Sequence, residues 1–196
     1  MIVVVGGVPG SGKTSVIRRA REIEDFDYVN YGDLFLELAR ELYGVEHRDD
    51  MRRTLSIHEY RRLHRAVADR IREIDYRDIR KPVVVDTHFM IATPTGFYPG
   101  FPEYVIRHIP AVAWVLIEAE PDEIRQRREA DASMRKRGGG IEDDIWTHQD
   151  LNRSAAVLYA YLTNGTVYII HNRQGKLEEA ARELAEVIRR CRTGSL

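Results

Sequence analysis

Cysteine is almost absent, since Cys191 is the only one in 196 residues. A single thiol excludes an intramolecular disulfide and a structural Cys₄ zinc site. It points to a reducing, intracellular setting, here the cytoplasm. Long apolar runs are missing too. No stretch approaches the ~20 residues of a membrane span, so no membrane partner is expected. With a strand beginning at Ile2 there is no room for a signal or transit peptide before it. Charge of one sign is also lacking: 30 basic residues face 31 acidic ones, for a net charge of −1. That balance gives no global basic bias, and no nucleic-acid partner is expected. Internal repeats, low-complexity segments and coiled-coil heptads do not occur. Asn and Gln are scarce while charged residues reach 31%, a weak lean toward a thermophilic source. The length suits one α/β domain with small insertions.

Glycine, by contrast, is concentrated where it matters. Gly7-Val8-Pro9-Gly10-Ser11-Gly12-Lys13-Thr14 has two glycines at the required spacing, then lysine and a hydroxyl residue. The β-branched run Ile2-Val3-Val4-Val5 precedes it, and helix-compatible sequence follows from Ser15. Gly7, Gly10 and Gly12 let the backbone curl so that N–H groups point inward at phosphate oxygens. The next helix starts with its positive dipole end at the same place. Lys13 brings a full charge to the β and γ phosphates, and the Thr14 hydroxyl is suited to Mg²⁺.

Further along, a second short strand is expected at residues 26–30, with Tyr31-Gly32-Asp33 as punctuation. A helix then runs from Leu34 to about Tyr43, ended by Gly44. Ser56 and Glu59 form a capping box for a long amphipathic helix to about Asp75. Two helices before the next strand exceed what a crossover needs and suggest a small helical insertion. Val83-Val84-Val85-Asp86 reads as a buried parallel strand. Residues 88–102 form a turn-rich loop, long enough to be functional. A buried strand at 111–117, a helix opened by Pro121, the cationic glycine stretch 135–140, a helix at about 142–162, a strand at 166–170 and a C-terminal helix complete the chain. Five strands alternating with helices predict a three-layer α/β fold with a parallel sheet. Ligands in such sheets sit beyond the carboxyl ends of the strands.

Asp86 ends its strand either as a Mg²⁺ carboxylate or as a cap on nearby N–H groups. Arg125, Arg127 and Arg128 sit late on one helix, Arg135 and Arg137 flank the glycines, and Arg153 lies in the next helix. Phosphoryl transfer needs positioned guanidinium forks of this kind. Paired surface charge is the alternative for any one of them. His88 is equally consistent with a structural and an active-site histidine. A GTPase is disfavoured: Asp86-Thr87-His88-Phe89 lacks the switch glycine, and no Asn-Lys-x-Asp occurs.

The chain resembles the archaeal adenylate kinases, within the nucleoside monophosphate kinases. The resemblance rests on residues 7–14, 29–32, 48–52, 85–88, 93–97, 100–102, 148–153 and 169–175, in that order. It implies a P-loop kinase fold of five parallel strands, with a nucleoside-monophosphate-binding insertion at about 32–75 and a short lid at about 129–145. It implies ATP + AMP ⇌ 2 ADP with Mg²⁺ held near Thr14 and Asp86, and often a homotrimer. By that likeness the stretch from Gly7 to Ser15 (Val8, Pro9, Gly10, Ser11, Gly12, Lys13 and Thr14 between them) binds ATP phosphates. Asn172 and Arg173 border the adenine, and Arg128 lies over it. Arg135, Arg137 and Arg153, with Lys13, gather round the transferring phosphoryl. Gly32, Arg52, His88, Thr93 and Gly96 hold AMP. The lid lacks an aspartate usual in the family. Rival readings are a kinase for another nucleoside monophosphate, and an ATPase switch of the same fold in ribosome assembly.

Overall fold

Alternate residues of the first strand, β1 (Ile2–Gly6), face opposite ways. Ile2 and Val4 enter one apolar cluster, Val3 and Val5 another. The same alternation in β3 (Val83–Asp86) and β6 (Ala111–Glu118) makes the sheet the middle of three layers. On one side lie α2 (Tyr31–Tyr43), α3 (Ile57–Arg77), the short α4 (Glu103–Ile106) and α6 (Ile145–Thr163). On the other lie α1 (Lys13–Arg21) and α7 (Leu177–Thr193). With β2 (Asp27–Asn30) and β7 (Thr166–His171), the five parallel strands run in the order β2-β3-β1-β6-β7. The computed structural model describes residues 1–47, 50–51, 54–93, 95–131 and 144–194.

This order creates a crevice. From β1 the chain crosses to β2 at one edge, whereas from β3 it crosses back over β1 to β6. The carboxyl ends of β1 and β3 are therefore the point where the winding reverses, the usual ligand crevice of such sheets. In register, Val5 pairs with Asp86, and Thr87 N–H bonds to the Val5 carbonyl. The phosphate loop and Asp86 thus leave the sheet side by side.

Three local readings change. First, α2 starts at Tyr31, so Gly32 lies in its first turn and does not punctuate it. The signal was Asn30, whose side chain accepts from Asp33 N–H at 3.0 Å as an N-cap. Second, the expected loop 88–102 contains an antiparallel hairpin, β4 (Met90–Thr93) and β5 (Gly96–Pro99). Its strands are too short and too even in polarity to alternate visibly. Third, α4 follows Pro102, which supplies the fixed backbone for a helix start. Beyond α5 (Pro121–Asp131) come residues 132–143, and the lid expected at about 129–145 falls mostly outside the described residues.

Candidate active site

The loop after β1 is shaped by glycine at two positions. Gly10 and Gly12 have φ of 90° and 83°, a region side chains disfavour. A Cβ on Gly12 would also lie 2.2 Å from Asn172 Nδ2. Gly12 is the N-cap of α1 and carries no side chain to cap it, and the first turn holds no acid. The helix N-terminus therefore faces the crevice with its first N–H groups available to an anion. Ser11 is fully buried, its Oγ without a hydrogen-bond partner among the described residues.

Four side chains meet at this point. Lys13, only 8% exposed, forms an ion pair with Asp86, itself 1% exposed. Tyr28 on β2 donates its hydroxyl to Asp86 Oδ2 at 2.9 Å, and Thr14 Oγ1 stands 3.5 Å from the same oxygen. Burial lowers the Lys13 ammonium to about 7, and the adjoining carboxylate opposes that shift. A polyphosphate offers Lys13 a second anion. The Thr14 hydroxyl and Asp86 carboxylate are hard oxygen donors, the set Mg²⁺ takes from a protein when phosphates and water complete its shell. The residues present fit that ion. No cluster of three or more His, Cys, Asp or Glu among the described residues would hold a metal without substrate.

The loop is braced from outside. Arg127 on α5 donates to the Ser11 carbonyl at 3.1 Å and the Asn172 carbonyl at 3.0 Å. Asn172 Nδ2 donates to Ser11 oxygen at 2.8 Å, and Arg128 Nε donates to Pro9 oxygen at 2.8 Å. His88 Nδ1 donates to the Gly7 carbonyl at 2.9 Å. Val8 packs with Ala119, Ile124 and Ile145, fixing the loop to the roots of α5 and α6.

The arginines of the expected set that the structure describes take different partners. Arg125 is exposed and pairs with Asp122, while Arg127 and Arg128 hold the loop backbone. Arg153 forks onto Glu118 through two bonds of 2.8 and 2.7 Å and also meets Asp150 at 3.0 Å. Arg52, Arg135 and Arg137 lie outside the described residues. In the β4–β5 hairpin, Thr93 Oγ1 donates to the Gly96 carbonyl at 2.6 Å. Gly96 has φ 132°. Arg173 is exposed beyond β7.

Residue-by-residue reading missed Tyr28 and Glu118. Tyr28 looked like an ordinary strand aromatic, because only the β2–β3 register brings its hydroxyl to Asp86. Glu118 carried a usable signal. An acid ending a fully apolar run repeats the Asp86 pattern, and Glu118 is 3% exposed against a single bidentate arginine.

Comparison with known proteins agrees with this geometry. Residues 6–145 match the protein family described as an AAA domain. The chain is 43% identical to an adenylate kinase of Methanopyrus kandleri, over 96% of this chain and 97% of that one. It is 42% identical to one from Methanothermobacter thermautotrophicus, covering 95% and 98%. A third, from Methanocaldococcus jannaschii, is 40% identical over 96% and 98%. Among solved structures, TT1252 from Thermus thermophilus superposes with a TM-score of 0.56 at 16% identity, covering 95% of each chain. A shikimate kinase from Acinetobacter baumannii in complex with shikimate gives 0.51 at 16% identity, covering 95% and 91%. These two likenesses concern the fold alone. With the sequence relatives spanning nearly the whole chain, it belongs to the adenylate kinase family of nucleoside monophosphate kinases, alongside archaeal members.

Proposed function

We propose that the chain transfers the γ-phosphoryl group of Mg-ATP to AMP and runs the same transfer in reverse. An oxygen of the AMP phosphate forms a bond to the γ phosphorus as the bond to the β-phosphate oxygen breaks, leaving two ADP. The observation that carries this reading is the assembled phosphate loop, with Lys13, Thr14 and Asp86 converging where α1 begins. Near-full-length similarity to adenylate kinases supports the choice of reaction.

Loop N–H groups from Gly7 to Ser15 hold the donor phosphates, and Lys13 moves from Asp86 onto them. Thr14 and Asp86 would hold Mg²⁺, which when bound would neutralise phosphate charge. Asn172, Arg173 and Arg128 border the donor nucleotide. Arg153, oriented by Glu118, joins Arg135 and Arg137 at the transferring group. Arg52, Gly32, His88, Thr93 and Gly96 hold AMP, the insertion at about 32–75 closing over it and the lid at about 129–145 over ATP. Reaction in a closed site protects ATP from water. Lys13→Ala lowers turnover by roughly three orders of magnitude, as loss of a transition-state charge contact should. Steady-state ADP formation from Mg-ATP and AMP measures it, and turnover within tenfold of wild type removes this role for Lys13.

The setting is cytoplasmic in this reading. No helix among the described residues is long and apolar enough to cross a membrane. A homotrimer is the proposed assembly, on the resemblance to archaeal adenylate kinases; exposed Val157, Leu158 and Tyr161 on α6 offer an apolar face that a neighbouring copy could cover. Light scattering giving a monomer mass would reject it.

A further inference from the structure

Helix α6 carries buried polar side chains that the phosphoryl transfer leaves without a task. His148 and Asn152, 2% and 1% exposed, lie one turn apart on the same face. Both close on one residue's backbone, that of Met90 at the start of β4. His148 Nε2 donates to the Met90 carbonyl at 2.9 Å, and Asn152 Oδ1 accepts from Met90 N–H at 3.3 Å. Asn152 Nδ2 donates back to the His148 carbonyl at 2.7 Å, which fixes the orientation of the amide. Two turns on, the Tyr159 hydroxyl donates to the Phe89 carbonyl at 3.1 Å and accepts from Phe101 N–H at 3.3 Å. The His148 ring also lies 5.0 Å from the Phe97 ring on β5. Buried polar groups are costly unless bonded. Bonding them to one short hairpin fixes its position in a way that apolar contact, which can slide, does not.

The two residues leading into the hairpin reach the end of β1 and the phosphate loop. A Cβ on Gly6 would lie 2.6 Å from the Phe89 ring, and His88 bonds to Gly7. The lead-in to the hairpin is thus held at the phosphate loop and its first residue, Met90, at α6, and the residue after Asn152 is Arg153.

We propose that His148 and Asn152 are positioning residues for the acceptor: by holding both polar groups of Met90 they set where the β4–β5 hairpin stands relative to the phosphate loop, and so set the affinity for the nucleoside monophosphate. This rests on the reading of residues 88–102 as the acceptor loop and of AMP as acceptor.

His148→Leu removes the donor to Met90, whereas His148→Gln keeps an N–H near the same place. AMP is varied at saturating Mg-ATP, then ATP at saturating AMP. The KM for AMP rises at least about tenfold in His148→Leu, while kcat and the KM for ATP stay within about threefold of wild type. His148→Gln recovers most of the loss. Without nucleotide, amide exchange in residues 90–99 speeds up in His148→Leu and that of β1 does not. The proposal is overturned if both KM values rise alike, if exchange speeds up with the KM for AMP unchanged, or if His148→Gln is as impaired as His148→Leu. Should His148→Leu fail to fold, Asn152→Ser, too short to reach Met90, enters the same comparison with the same outcomes. A wild-type protein that makes no ADP from AMP would overturn the acceptor reading instead, before any variant is compared.

Discussion

Single residues in this chain do their work through burial. Lys13 and Asp86 are both nearly inaccessible and each supplies the other's counter-charge. Breaking such a pair by removing one partner costs more than the pair contributes. His64 is a separate case. It is 4% exposed, shares a 2.9 Å hydrogen bond with the Tyr31 hydroxyl, and is ringed by Phe35, Tyr60 and Tyr104. Burial lowers its pKa from 6.5 to about 4. Between those values the unfolded chain binds the proton and the folded chain does not, so stability rises with pH across that window. As pH falls from 6.5 to 4 the folded state loses about 3 kcal/mol, and below pH 4 this contribution is flat. Denaturant melts of wild type and His64→Phe across that range check this. The slope attributable to His64 disappears in the variant, and equal slopes in both would contradict the assignment.

At the scale of elements, what could be read early was what depends on nearest neighbours in sequence. The phosphate loop was legible because its glycines, lysine and hydroxyl residue must be contiguous. The capping box was legible for the same reason: Ser56 accepts from Glu59 N–H while Glu59 accepts from Ser56 N–H at 2.8 Å. Ser56→Ala therefore destabilises the protein by about 1 kcal/mol. The thermal midpoint drops by roughly 2–4 °C for a chain of this size. Calorimetry measures it, and an unchanged midpoint would show that α3 does not depend on its cap. The β4–β5 hairpin was not legible, because the bonds that hold its start come from His148, Asn152 and Tyr159 on α6, 58 to 70 positions away. Nor did charge patterning separate the arginines, since the partners of Arg127 and Arg128 are backbone carbonyls of the phosphate loop.

Over the whole molecule, strand order does what no motif can. Placing β1 between β3 and β6 brings the phosphate loop, Asp86 and Glu118 together at the carboxyl end of the sheet. The fold class followed from five apolar runs separated by helices, whereas the strand order was not legible in any of them. Pairings across the crevice, such as Tyr28 with Asp86 and Glu118 with Arg153, needed the register itself. The same architecture serves kinases with different acceptors, so the fold cannot name the acceptor. An acceptor screen does. The protein is incubated with Mg-ATP and each nucleoside monophosphate in turn, ADP is quantified, and an ATP-only sample serves as control. The account predicts rapid ADP formation with AMP, little with the other monophosphates and none with ATP alone. ADP formation from ATP alone, unchanged by any monophosphate, would contradict it and leave an ATPase in place of a kinase.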